Sequence, residues 1–185
     1  MTTLLVGIAI FFLVHSIPMM PGVKTPLLAR LGENRFKGLF SLFAMTGFVA
    51  IIFGMGSAPF QPVWAPPSWS RHVSNVIMPV AFFLLVAAYI PSNFRRIIRN
   101  PMLTAVLLWS LAHLVSNGDL ASILLFGSFG IFSVADIISA NKRSALTVPA
   151  KKPAYFDGLV IVTGLVAFWL VRYYHASLFG VAVSF

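Results

Sequence analysis

Two histidines lie where a histidine is expensive. His15 stands in the apolar run FFLVHSIP, and His113 stands in MLTAVLLWSLAHLVSNGD. A titratable ring inside hydrocarbon is costly unless something is bound to it. Neutral imidazole is the commonest metal ligand and suits haem iron, zinc and copper alike. The chain has no cysteine, which removes disulfides, thiolate metal sites, iron–sulfur clusters and cysteine nucleophiles together. Its four acids include no pair spaced for general acid–base work, and no Ser/His/Asp set is evident. Imidazole is therefore the ready donor. Zinc would want three or four ligands, so a pair of imidazoles in an apolar bundle favours haem iron. For either histidine alone, the plain alternative is a neutral ring hydrogen-bonded to a neighbouring helix.

The remaining histidines are less demanding. His72 follows Arg71 at the start of an apolar run, where a solvated loop position explains it. His175 lies beside Tyr173 and Tyr174, past the last expected span, in an interfacial position. Depth complicates the pairing. By helical rise His113 is about 16 Å from the start of its helix, and His15 only about 3 Å from the end of its own. One iron reaches both if the first helix continues past Pro18, if the fourth sits low, or if the haem is tilted. His72 and His113 are closer in depth and form the second candidate pair. Among the acids, Asp119 suits a helix cap, Asp136 an ion pair with Arg95, Arg96, Arg99 or Arg143, and Asp157 and Glu33 helix ends.

The elements that must carry these rings are membrane spans. Hydrophobic residues make up 59% of the 185 and charged residues 9%, with a mean hydropathy of +0.93. A soluble domain has about 25% charged residues, so this chain lacks the polar surface to cover itself in water. Apolar runs long enough to cross about 30 Å of hydrocarbon recur along it. The expected helices cover about residues 3–17, 38–56, 73–90, 101–116, 120–140 and 156–174, followed by a short apolar tail. The first run has no basic leader region or small-residue cleavage site, and reads as a retained helix. Residues 58–70, APFQPVWAPPSWS, are too proline-rich for a helix, and their indoles suit a lid at headgroup level. Residues 19–37 read as a basic connecting loop.

The expected fold is thus all-α: a polytopic membrane bundle of six transmembrane helices in one domain over residues 1–185. The formal charge is +9. All lysines and arginines but Arg71 and Arg172 fall in the first, third and fifth connections. That bias orients the chain with those connections cytoplasmic and both termini outside, which is periplasmic for a bacterial inner membrane. It also argues against nucleic acid as a partner, since the basic residues serve short loops between spans; the lipid bilayer is the expected partner.

Four stretches carry a resemblance: VHSIP around His15, LGENRFKGLFSL from Leu31, NPMLTAVLLWSLAHLVSNGDLASILLFGSF from Asn100, and FSVAD ending at Asp136. Together they cover nearly the whole chain, in order, and resemble the NnrU family of bacterial membrane proteins. That resemblance implies a place in denitrification, alongside nitrite and nitric oxide respiration. The family is also similar to the plastid zeta-carotene isomerase, a membrane enzyme whose haem b is held by two histidines and isomerises a double bond when reduced. By that similarity the haem b ligands fall on His15 and His113, and the isomerase cysteine three residues before the second histidine is Ser110 here. More distantly, isoprenylcysteine-type methyltransferases carry an Arg-His-Pro motif near S-adenosylmethionine, which here reads Arg99-Asn100-Pro101.

The resemblance therefore implies a haem-b-binding membrane protein of nitrogen-oxide respiration, extended to redox-dependent isomerase-like chemistry on a lipophilic substrate. The alternatives are a small S-adenosylmethionine-dependent membrane methyltransferase and a non-catalytic assembly partner of a membrane reductase.

Overall fold

The computed structural model describes residues 1–143, 147–181 and 183. The chain forms two compact units, Met1–Gln61 and Pro62–Phe185.

The first unit contains α1 (Thr2–Ser16), a 3-10 turn (Ile17–Met19), α2 (Pro21–Leu31) and α3 (Glu33–Gly56). α1 and α3 pack at backbone distance because their contact positions are glycines. A Cβ on Gly47 would lie 2.7 Å from the Phe11 nitrogen, one on Gly7 2.6 Å from the Ile51 nitrogen, and one on Gly54 would strike the Leu4 backbone. Lipid tails are as apolar as the side chains, so close van der Waals contact between backbones holds such a pair together in a bilayer. Leu4 and Ile51 are buried in this seam.

Residues 19–37 depart from expectation. In place of the expected loop, α2 occupies most of the stretch and α3 begins at Glu33. Pro21 stands in the first turn of α2, where its missing N–H is unneeded. Pro26 lies inside the helix and forgoes one bond to the exposed Gly22. Gly32, at φ +73°, then turns the chain into α3.

The second unit contains α4 (Ser70–Ala87), α5 (Phe94–Ile97), α6 (Pro101–Ser116), α7 (Leu120–Lys142) and α8 (Tyr155–Phe179). α4 packs against α6 and α8, and α6 against α7. The core is made of Ala81, Leu84, Ala87, Ala105, Ala112, Ala121, Val160 and Phe168. Asp119 caps α7 as expected, its Oδ1 accepting from the Ser122 N–H at 3.0 Å. Asp136 pairs with Arg143 at 3.5 Å, one of the four partners anticipated for it. Asp157 is in the first turn of α8 and Glu33 opens α3, where it pairs with Lys37.

The segment between Gly56 and Ser70 is not helical, in keeping with its prolines, and part of it is strapped to the α6–α7 turn. The N–H groups of Val63 and Trp64 donate to the Gly118 carbonyl at 2.8 and 3.1 Å, and Pro62 bridges to Asp119. Gly118 is required there, because a Cβ would collide with the Trp64 carbonyl oxygen.

Five helices are long and apolar enough to cross a membrane, counting α1 with its 3-10 turn, and α6 is a shorter apolar helix of 16 residues. Between 17% and 33% of each long span is buried, and residues such as Phe53, Val76, Ile131 and Leu170 are exposed, which is the surface a helix shows to lipid. The chain is an all-α, multi-pass membrane protein; among the described residues there is no strand, only the isolated bridge at Pro62. The expected apolar tail lies partly outside the described residues, as do residues 144–146 of the last basic connection.

Candidate cofactor site around two histidines

His15 and His113 are built alike. In the first unit the His15 Nδ1 lies 2.7 Å from the Phe11 carbonyl oxygen one turn earlier, and the ring stacks on Phe11 at 3.9 Å. Phe40 of α3 meets it edge-on at 5.2 Å. In the second unit the His113 Nδ1 lies 2.8 Å from the Trp109 carbonyl oxygen, again one turn earlier. Its ring stacks on Phe126 of α7 at 4.4 Å, with Trp109 at 5.2 Å. Trp109 is itself wedged edge-on between Phe126 and Phe129. Both histidines are half-buried.

A carbonyl can only accept, so each Nδ1 carries a proton, and a ring in its neutral form then presents its lone pair at Nε2. That is the tautomer a metal-ligating histidine uses, with the second nitrogen tied to a backbone carbonyl that raises its basicity. Each ring, taken by itself, thus has the chemistry of a haem-iron ligand. Among the described residues no group of three or more histidines and acids comes together, the set a zinc site would need.

In the first unit the span continues past Pro18 to Met19, so His15 is about one turn from its end, and Phe40, which meets the His15 ring, lies about two turns inside the Glu33 end of α3.

The other candidates fall as follows. His72 is exposed in the first turn of α4. Ser70 and Ser74, which hydrogen-bond to α6 through Ser116 and Ala112, are two residues to either side of it and so on the opposite face of the helix. His175 is not past the last span: α8 runs on to Phe179, so His175 is a helical residue, with Nδ1 2.6 Å from the Val181 carbonyl oxygen. Ser110 is fully buried against Gly130 with no hydrogen-bond partner. Of the Arg99-Asn100-Pro101 motif, Arg99 is exposed and Asn100 precedes α6, its carbonyl accepting from Thr104.

Over residues 3–183 the sequence matches the family model described as NnrU protein. The chain belongs to the NnrU family. The match takes in both units, and both candidate histidines with their stacking partners lie within it. No curated protein and no solved structure matches the chain.

The sequence of this NnrU-family chain already sets Trp109 one turn before His113 on the same helix face, and a matching signal exists for Phe11. Phe11 precedes His15 and Trp109 precedes His113 by the same four residues. An aromatic one turn before an apolar-run histidine is the spacing that lets the ring stack and bond its carbonyl.

Proposed function

We propose that this NnrU-family protein binds haem b through His15 and His113 and serves nitrogen-oxide respiration, with redox-dependent isomerase-like chemistry on a lipophilic substrate. The observation that carries the reading is the shared tautomer: each ring gives its Nδ1 proton to its own helix and offers Nε2. Phe11 stacked and Phe40 edge-on against one histidine, and Phe126 stacked and Trp109 tilted against the other, restrict rotation of the imidazoles. The Phe11 and Trp109 carbonyls hold the proton at Nδ1 and strengthen Nε2 as a donor. Bound haem b would supply a one-electron redox centre in apolar surroundings. In this reading the protein sits in the bacterial inner membrane with its basic connections cytoplasmic and both termini periplasmic.

The test is the absorption spectrum of detergent-purified protein from cells fed haem precursor. Wild type should show a Soret band of low-spin, six-coordinate haem. His15→Ala and His113→Ala should each lose it and leave a five-coordinate species or none, while His72→Ala and His175→Ala keep it. Protein without haem overturns the proposal. Loss in His72→Ala with retention in His15→Ala moves the ligand pair to His72 and His113.

A further inference from the structure

The second unit carries a positive end whose acids are already engaged. Arg95 and Arg96 lie on α5, Arg99 follows it, and Lys151 and Lys152 precede α8. Asn93 brings these stretches together. Its side-chain amide donates to the Lys152 carbonyl at 2.8 Å and its Oδ1 accepts from the Lys152 N–H at 2.9 Å. Arg96, Arg99 and Lys151 are exposed, and Arg95 and Lys152 half-exposed. The three acids of this unit are all occupied elsewhere. Asp119 caps α7, Asp136 faces Arg143, and Asp157 accepts from Asn93 at both oxygens. Among the described residues, these five cations have no ion-pair partner.

The same end exposes large side chains. Tyr89 at the end of α4 is 71% exposed, Ile97 of α5 81%, and Tyr155 opening α8 66%. Phe94 points the other way and packs on Phe83 of α4 at 5.3 Å, anchoring α5. Exposed tyrosines and an isoleucine among unpaired arginines match the headgroup layer, where the ring and aliphatic bodies meet acyl chains and the charges meet phosphates.

We propose that Arg95, Arg96, Arg99, Lys151 and Lys152, framed by Tyr89, Ile97 and Tyr155, form a docking surface for anionic phospholipid headgroups. The charge complementarity calls for an anion. The exposed apolar frame selects one that arrives with acyl chains rather than as free phosphate.

The experiment titrates the purified full-length protein in neutral detergent with phosphatidylglycerol, phosphatidylcholine or inorganic phosphate, reading bound species by native mass spectrometry. Phosphatidylglycerol should bind in preference to phosphatidylcholine. The variant R95Q/R96Q/R99Q should weaken it roughly a hundredfold, at the usual leaflet attraction per cation. K24Q/R30Q, in the first unit, should leave it unchanged. Should the triple variant not fold, K151Q/K152Q carries the test, with a loss of roughly thirtyfold. Equal binding of the two lipids, wild-type affinity in a folded charge variant, or inorganic phosphate binding as tightly as phosphatidylglycerol would each overturn the assignment.

Discussion

Asn93 closes on Asp157 with two hydrogen bonds, its backbone N–H donating to Oδ1 and its side-chain amide to Oδ2, both at 2.7 Å. A neutral side chain thereby satisfies a carboxylate in a neighbourhood rich in arginine, and fastens the α4–α6 connection to the start of α8. Bonds to a charged acceptor contribute about 1.5–3 kcal/mol each in favourable settings. Asn93→Ala should lower stability by about 2–3 kcal/mol in SDS-titrated unfolding from mixed micelles. Asn93→Asp, which places a second carboxylate against Asp157, should cost at least as much. A stability equal to wild type in Asn93→Ala would show the clamp to be energetically idle.

The strap over the α6–α7 turn makes a sharper case. Gly118→Ala puts a methyl group where the Trp64 carbonyl oxygen lies, so the residues around Trp64 should detach. Phe60, Trp64 and Trp69 are already partly exposed, and chymotryptic cleavage at them should accelerate by about tenfold, the effect of about 1.4 kcal/mol on a local opening equilibrium. An unchanged cleavage rate would show that the strap does not depend on this glycine.

Two glycines on one helix separate packing from propensity. Gly54→Ala drives a methyl group into the Leu4 backbone and should cost about 1–3 kcal/mol. Gly38→Ala meets open space on the same α3 and should gain about 0.4–1 kcal/mol through the unfolded chain. Opposite signs in the same unfolding assay are the expected result; the same sign in both would remove the glycine seam as the cause.

Orientation is checked by truncation fusions. A reporter joined after Gln61 should be active only outside the cytoplasm, and one joined after Ala150 only inside, because the basic connections are the retained ones. The reverse pattern, or the same side for both, would contradict the charge bias.

What the sequence makes legible follows from hydropathy and punctuation. α6 begins at Pro101 and stops before Asn117-Gly118, as those residues dictate. Pro18 marks the end of α1, and Asp119 caps α7. What escapes such a reading depends on partners remote in sequence or on signals that mislead. α2 is obscured because Pro21, Gly22 and Pro26 all signal a break, whereas the first sits where proline is harmless and the other two share one forfeited bond. The extension of α8 past Tyr174 is hidden by the interfacial look of Tyr173 and Tyr174, and it carries His175 from a tail onto a helix. Asn93 gives no sign that it grips a residue 64 positions away. For the candidate site, the two histidines are visible as polar residues in apolar runs, but Phe126 and Phe40 are not, since each comes from a neighbouring helix.

The shortness of α6 sets a sidedness on access to His113. At 16 residues it is about 24 Å long, against about 30 Å of hydrocarbon, so its polar ends at Asn100 and Asn117 lie below the usual headgroup level unless the bilayer thins around them. His113 is about one turn from the Asn117 end and roughly three turns from Pro101. A proton or solute travelling to this imidazole from water therefore has a short path from one aqueous face and a long one from the other. An impermeant imidazole-modifying reagent should reach His113 far faster from the Gly118 face, and equal rates from both faces would show that the path is not vectorial.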